Sequence, residues 1–334
     1  MKAPTIYDVA RHAGVSHQTV TRFLKGFQGI RPETRKRVEE ALIALDYRPN
    51  SAARLLRSQR TNRIGVLADR IDQSGPARIL TGAGERAHEL GYVLDVVVAD
   101  GTSAGSVATS LATITEHQVA GILATAQTEI VLEELRRQAT AAPLIISPQP
   151  DAGTDEPGVN ELAGRCAADH LIDLGHRVIG YLAGPDMWLA ARGRMSGFTQ
   201  RVAERGGRVA WVRHGDWSAA SGYAAYGSLS EDERAVTAIG VANDSMAIGV
   251  VCAAVESGVR VPEQLSVIGT DDLPEARYVL PSLSTVAMDF EGEGRFLIEE
   301  LIAKIEGAQA QEQALPALPH LIARASTSQL VTRP

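Results

Sequence analysis

The chain has 334 residues, 45% of them apolar, enough for two or three domains with sizeable cores. Its net charge of −7 taken whole argues against a nucleic-acid partner, and two cysteines, Cys166 and Cys252, give neither a disulfide framework nor a metal spacing. No run of about 18 apolar residues that could span a membrane occurs.

The N-terminus, MKAPTIYDVARHAG, lacks the apolar segment of an export signal. A reducing cytoplasm and no membrane partner are the expectations, with both cysteines as small core residues. The charge distribution reverses the first impression from net charge. Residues 1–60 hold 12 Lys and Arg against 5 Asp and Glu, a net +7; the rest hold 21 against 35, a net −14. A basic head on an acidic body suits DNA, because phosphate contact supplies most nonspecific affinity.

Thr5 to Leu24 reads as two short helices joined by a tight turn. Val9, Ala10 and Ala13 recur at helical spacing. Gly14 can turn the backbone with φ > 0, and Ser16 is placed to cap the second helix. Val20, Phe23 and Leu24 give that helix an inner face; His17, Gln18, Thr21 and Arg22 give it an outer one. The spacing fits either a plain helical hairpin or a helix-turn-helix whose second helix enters the DNA major groove. Pro32 suits the first position of a third helix, in which Val38, Ala41, Leu42 and Leu45 follow at core spacing. Its polar side, with Arg35, Lys36 and Arg37, faces solvent or phosphates.

Pro49 closes this region, and Asn50 can cap a short helix from Ser51 to Ser58. Eight residues are too few for a stable isolated helix. The segment is either a plain linker or a hinge that folds only when two copies pair on DNA.

From Ile64 the texture changes to short β-rich runs alternating with helical stretches, the pattern of parallel sheets. Strands are expected at 64–68, 93–99, 119–125 and 144–147, with helices at 76–90, 105–117 and 129–140. A second series follows, with strands at 178–183, 209–212, 236–242 and 265–270 and helices at 160–174, 190–205, 218–229 and 245–257. Two α/β series in tandem imply two lobes with a cleft between them.

Ligands in such sheets lie beyond the carboxyl ends of the strands. Polar residues there are Asn243, Asp244, Asp271 and Asp272, with Arg192 and Arg194 at a helix start. Trp217 and Phe290 are nearby aromatics. Carboxylates, amides and a guanidinium pair with sugar hydroxyls, and aromatic rings cover the C–H face. Equally, Asn243 can be a helix cap, the Asp pair a turn, the aromatics core, and Arg194 a surface charge.

TIYDVARHAGVSHQTVTRFLKG with RPETRKRVEEALIALDYRPNSAARLLRS closely resembles the N-terminal domain of the LacI family of bacterial transcription repressors. YLAGPDMWLAARGRMSGF, GDWSAASGY, VANDSMAIGV and LSVIGTDDLPEARYVLPSLSTVAMDF resemble the ligand-site segments of the family's type member, and the likeness runs to about residue 330. The resemblance implies a helix-turn-helix domain at 1–49, a hinge helix and linker at 50–60, and a two-lobed periplasmic-binding-protein-like body at 61–334. Lobe one would take 61–158 and 288–318, lobe two 159–287 and 319–334. It sends a last helix, about 291–306, back to lobe one and a last strand, 320–326, back to lobe two.

The resemblance places His17, Gln18 and Arg22 at base-reading positions. Thr5, Tyr7, Ser16, Thr19, Thr21, Thr34, Tyr47, Asn50 and Ala53 join them as DNA contacts, and Leu56 acts as a minor-groove wedge. Arg194, Asn243 and Asp271 become sugar-hydroxyl partners, Trp217 and Phe290 aromatic walls, and Pro76 and Ile79 the apolar wall of lobe one. His17 stands where the type member has Tyr. Pro148 stands where it has an inducer-contacting Asp, and Gln73 where it has an apolar residue.

The function implied is a repressor released from a palindromic double-stranded operator by a galactoside-like sugar, acting as a homodimer with no cofactor. A purine co-repressor fits Trp217, Arg194 and Asn243 less well. A sugar-transport protein lacks support from the basic head. The eight His fall in no nucleophile or metal motif, which speaks against an enzyme.

Overall fold

The computed structural model describes residues 4–24, 27, 29–45, 47, 61–125, 127–138, 140–147, 157–307 and 314–330. The expected hinge helix, with Asn50, Ala53 and Leu56, lies outside the described residues, as does Pro148. Two compact units result, Met1–Thr61 and Asn62–Pro334.

In the first unit α1 (Ile6–Ala13), α2 (His17–Leu24) and α3 (Pro32–Ala44) enclose a small core. Val9, Val20, Val38 and Ala41 are wholly buried, ringed by Phe23, Leu24, Leu42 and Leu45. Thr5 and Asp8 form a reciprocal capping box on α1, satisfying two otherwise orphaned amide donors. Gly14 takes φ 63° at the turn. The Thr19 N–H donates to Ser16 Oγ over 3.2 Å, capping α2. Arg35 turns back onto the helix pair: its guanidinium lies 5.4 Å from the Phe23 ring centre and donates to the Phe27 carbonyl. Lys36 and Arg37 remain outward.

The second unit contains two sheets. β1 (Arg63–Ala68), α4 (Ser74–Glu89), β2 (Val93–Val98), α5 (Ala104–Glu116), β3 (Gly121–Thr125), α6 (Glu129–Arg137) and β4 (Leu144–Ser147) build the first lobe. Its strands are parallel, in the order β2-β1-β3-β4. The second lobe follows with α7 (Val159–Asp173), β5 (Val178–Ala183), α8 (Leu189–Glu204), β6 (Arg208–His214), α9 (Ala219–Gly227) and α10 (Glu231–Arg234). It continues with β7 (Ala238–Val241), α11 (Asp244–Glu256), β8 (Ser266–Asp271) and β9 (Ser284–Ala287). Strands such as β7 and β8 are buried throughout, because helices cover both faces.

The chain then crosses back. α12 (Phe290–Glu306) packs on α4 of the first lobe, and β10 (His320–Ile322) joins the second sheet antiparallel to β9, giving β10-β9-β8-β7-β5-β6. Asp289 braces two of these crossings at once: one carboxylate oxygen caps Gly292 N–H and the other accepts from Ala317 N–H, each at 2.9 Å.

Three details depart from the sequence reading. β9 was not foreseen, because Ser284–Ala287 is short and half polar. The last strand ends at Ile322, not residue 326, and runs antiparallel. Cys252 is exposed rather than core, while Cys166 is half-buried. Cys252 lies on the side of α11 that carries Val255 and Glu256 outward.

Helix pairs meet at unusually short range. A Cβ on Gly82 of α4 would sit 2.0 Å from the Glu291 carbonyl oxygen, and one on Gly294 of α12 would sit 2.0 Å from that of Ile79. α7 and α8 repeat this with Gly164 and Gly197, whose Cβ atoms would meet the carbonyl oxygens of Arg194 and Glu161 at 2.1 and 2.0 Å. Backbone cannot yield cheaply, so Gly197→Ala must part the two helices. Overpacking of this kind costs about 1–3 kcal/mol. Thermal unfolding of G197A should fall by several degrees, and an unchanged midpoint would contradict the close approach.

Candidate functional site

On the first unit, the N-terminal ends of α1 and α2 converge. Tyr7 is 58% exposed, and its ring centre lies 5.2 Å from that of His17. Thr5, Ser16, His17, Gln18 and Arg22 are also exposed, while Thr19, Thr21, Thr34 and Tyr47 are half-buried. The Thr21 hydroxyl donates to the His17 carbonyl, and the Thr19 hydroxyl meets that of Ser16. Arg22 rests with its guanidinium 5.6 Å from the Phe27 ring centre. His17 and Gln18 present exposed side chains at the start of α2, the end of the helix that meets base edges in this motif.

In the second unit a cleft of about 60 Å³ opens at the carboxyl ends of both sheets. The structure brings Pro76, Ile79, Arg194, Trp217, Asn243, Asp271 and Phe290 together in its wall, together with Gln73. Pro76 and Ile79 come from the first turns of α4, Arg194 from α8, Asp271 from the end of β8, and Phe290 from the start of α12.

Arg194 is 5% exposed, far from a surface charge. Its Nη1 lies 2.9 Å from Asp271 Oδ1, its Nε donates to Asn160 Oδ1 at 3.1 Å, and its guanidinium is 5.9 Å from the Trp217 ring centre. Nη1 also donates to the Ala242 carbonyl at 2.5 Å. Its contact with Asp271 is a charge contact without hydrogen-bond alignment, so Asp271 Oδ1 remains without a hydrogen-bond partner.

Asn243 is a helix cap that also lines the cleft. Its Oδ1 accepts from Met246 N–H and caps α11, and its Nδ2 donates to the Trp217 carbonyl. The Gln73 amide donates to Asp72 at 3.0 Å. Other strand-end candidates face elsewhere. Asp272 pairs with Arg324, Arg192 donates to the Asp186 carbonyl, and Asp244 is buried behind the wall.

Three buried side-chain polar atoms lack a hydrogen-bond partner among the described residues: Ser74 Oγ, Trp217 Nε1 and Asp271 Oδ1. All three residues line the cleft. Orphaned buried polar atoms are few in native proteins, and each such group calls for a reason. Backbone strain gathers at the same place. Trp217, Asp271 and Asp272 hold φ of 75°, 112° and 51°, in the region L side chains rarely adopt.

Titration follows burial. Desolvation raises the Asp271 carboxyl pKa, and the Arg194 charge opposes that rise. Burial, then the neighbouring Asp271, push Asp244 up to about 8, against hydrogen bonds donated by the Thr285 hydroxyl and the Leu273 N–H. Burial also raises Glu293, opposed by the Ser147 hydroxyl.

The lobes touch across the cleft. The Leu189 N–H donates to the Gln127 carbonyl at 2.9 Å beside a bridge between Thr128 and Trp188. Arg78 of α4 donates to the Asp271 carbonyl at 2.8 Å and grips Glu291 with both arms.

Sequence reasoning missed Ser74, Gln127, Ser147, Asn160, Trp188 and Glu293 in the wall. Ser147 and Gln127 were within reach, since they end or follow strands of the first sheet. Glu293 carried one signal: it is one turn beyond Phe290.

A helix-turn-helix unit and a two-lobed α/β unit with a polar cleft together define a DNA-binding transcription regulator. Residues 5–50 match the family model described as bacterial regulatory proteins, lacI family, and residues 168–327 match a periplasmic binding protein-like domain. The lactose operon repressor of Escherichia coli (strain K12) is 31% identical over 327 residues, 95% of this chain and 89% of that one. The HTH-type transcriptional repressor PurR of Haemophilus influenzae is 31% identical over 336 residues, covering 98% of this chain and 99% of its own. The lac repressor dimer bound to operator and the anti-inducer ONPF superposes with a TM-score of 0.85 at 30% identity, over 98% of this chain and 100% of that one. The complex of the transcriptional regulator CelR with cellobiose superposes at 0.69, with 28% identity over 97% and 99%.

The chain belongs to the lacI family of bacterial regulatory proteins and is a DNA-binding transcriptional repressor. These relatives are transcription regulators, not enzymes. No helix among the described residues is long and apolar enough to cross a membrane, and no described His, Cys, Asp and Glu group could hold a metal.

The Asp244 shift sets a pH dependence. A carboxyl whose folded pKa lies above its unfolded value favours folding most below about 3.8 and loses that contribution as pH rises to about 8. Relative to Asp244→Asn, the wild-type protein should therefore lose stability between pH 5 and pH 8 in urea unfolding. A constant difference across that range would show that Asp244 is ionised throughout.

Proposed function

We propose that this repressor is released from a palindromic operator by a sugar of galactoside-like shape bound in the interlobe cleft, and that it works as a homodimer. The observation that carries the ligand reading is the convergence in one cleft of three buried polar atoms without a hydrogen-bond partner among the described residues, on Ser74, Trp217 and Asp271. A polyol supplies donors and acceptors in alternation, so one guest can satisfy a carboxylate, an indole N–H and a hydroxyl. The apolar and aromatic surfaces of Ile79, Pro76 and Phe290 complement its C–H faces.

In this reading His17, Gln18 and Arg22 read base edges in the major groove, and Thr5, Tyr7, Ser16, Thr19, Thr21, Thr34 and Tyr47 fix the helix on the backbone. Residues 50–60 act as the hinge, with Asn50, Ala53 and Leu56 at the minor groove. Inducer and operator oppose each other because the sugar binds the DNA-free arrangement more tightly.

A co-repressor reading is kept open by the likeness to PurR, and the sign of the effect separates the two. Operator titration by fluorescence anisotropy should show affinity falling by about 5- to 150-fold on saturation with methyl β-galactoside, the usual range of allosteric coupling. Tighter binding with a purine base, and no response to any sugar, would replace the inducer scheme with the co-repressor one.

Homodimer formation is supported by large apolar side chains left outward on the second unit, among them Leu280 at 90% and Tyr278 at 78% exposure, with Val93, Val96 and Val98 along the edge strand β2. Leu280→Asp should shift the protein toward monomer in sedimentation velocity and weaken operator binding. A dimer of unchanged stability would remove this surface from the interface.

A further inference from the structure

Glu293 has one structural tie among the described residues, a hydrogen bond from Ser147. It lies in the first turn of α12, but Asp289 already caps that helix through Gly292 N–H. It forms no ion pair among the described residues, and the cations beside the cleft are committed elsewhere. Arg194 faces Asp271 and the Ala242 carbonyl, and Arg78 grips Glu291. Its one hydrogen bond comes from the Ser147 hydroxyl, donated to Oε1; no described residue donates to Oε2. Yet its side chain lines the cleft. A half-buried carboxylate with a single neutral donor has lost part of its hydration, a cost that a leucine or methionine there would not carry.

We infer that Glu293, oriented by Ser147, is a ligand-recognising acid of the cleft that accepts a hydrogen bond from a hydroxyl of the bound sugar, so that one guest is held between carboxylates of the two lobes, Glu293 and Asp271. The inference rests on the sugar reading above and narrows it. An ionised carboxylate only accepts hydrogen bonds, so its partner must donate. A hydroxyl qualifies. A phosphate or carboxylate on the ligand would meet like charge from Glu293 and Asp271, which sets uncharged sugars apart from sugar phosphates and sugar acids. The raised pKa of Glu293 agrees with an acid short of donors, and Asp289 adds to the rise.

The placement has a second consequence. A group kept for binding at the expense of stability should stabilise the ligand-free protein when it is replaced by an apolar one. A group kept for structure should do the reverse.

The test is calorimetric titration of the full chain with methyl β-galactoside, methyl β-glucoside and their monodeoxy derivatives, on wild type, Glu293→Leu and Glu293→Gln. A hydrogen bond to a charged group leads us to expect a roughly 10- to 100-fold affinity loss in E293L. E293Q, which keeps an acceptor, should lose less. For one monodeoxy sugar the penalty seen with wild type should disappear in E293L, which identifies the hydroxyl concerned. The ligand-free melting temperature of E293L should rise. Equal sugar affinities in wild type and both variants, or a deoxy penalty that persists at every position, would overturn the role of Glu293 while leaving the sugar reading intact. A lower melting temperature in both variants would make the residue structural. Failure of wild type to bind any of these glycosides would overturn the sugar reading and this inference together.

Discussion

The contact between Arg194 and Asp271 organises the cleft. Both side chains are about 95% removed from solvent, and neither could remain charged there alone. Arg194 is held from three further directions, by Ala242, Asn160 and the Trp217 ring. Asp271 is held through its backbone, which Arg78 engages from the other lobe. The left-handed backbone at Trp217, Asp271 and Asp272 is the conformational cost of aiming these groups inward. An imperfectly aligned ion pair leaves acceptor capacity on Asp271, so the same contact that keeps the charge tolerable leaves it able to receive a guest.

Much of this was legible in the sequence, for identifiable reasons. Helical spacing located the three helices of the first unit because its core is small and each helix has one inward stripe. Gly14 and Ser16 marked the turn because their conformational and capping preferences are local. The strand-end rule reached Arg194, Asn243 and Asp271 because parallel topology fixes which end of each strand opens on the cleft. Glu293 and Trp188 were harder: each enters the wall through a long-range crossing or a helix start that no local pattern encodes. β9 escaped because four residues between turns carry too short a period to read, and Cys252 because helix phase, not residue type, decides its exposure.

The family explains the combination of a basic head and an acidic body without specifying its effector. Relatives of equal identity include a lactose operon repressor and PurR. Discrimination among ligands therefore rests on individual cleft residues. Here the wall carries one buried carboxylate, Asp271, one half-buried, Glu293, one guanidinium already engaged, and an indole whose N–H has no partner among the described residues.

The glycine-to-carbonyl approaches described above occur in a third helix pair as well, at Gly222 and Gly249 of α9 and α11, where Cβ atoms would meet Met246 and Ala219 carbonyls at 2.1 and 2.0 Å. Helices seated backbone against backbone slide poorly, so each lobe moves as a stiff block. Between blocks the chain passes through a narrow strip around Met288 and Asp289, braced to Ala317. Stiff arms on a slender pivot have the geometry of a lever: any change of angle between them displaces their far ends by more than it moves the walls beside the fulcrum.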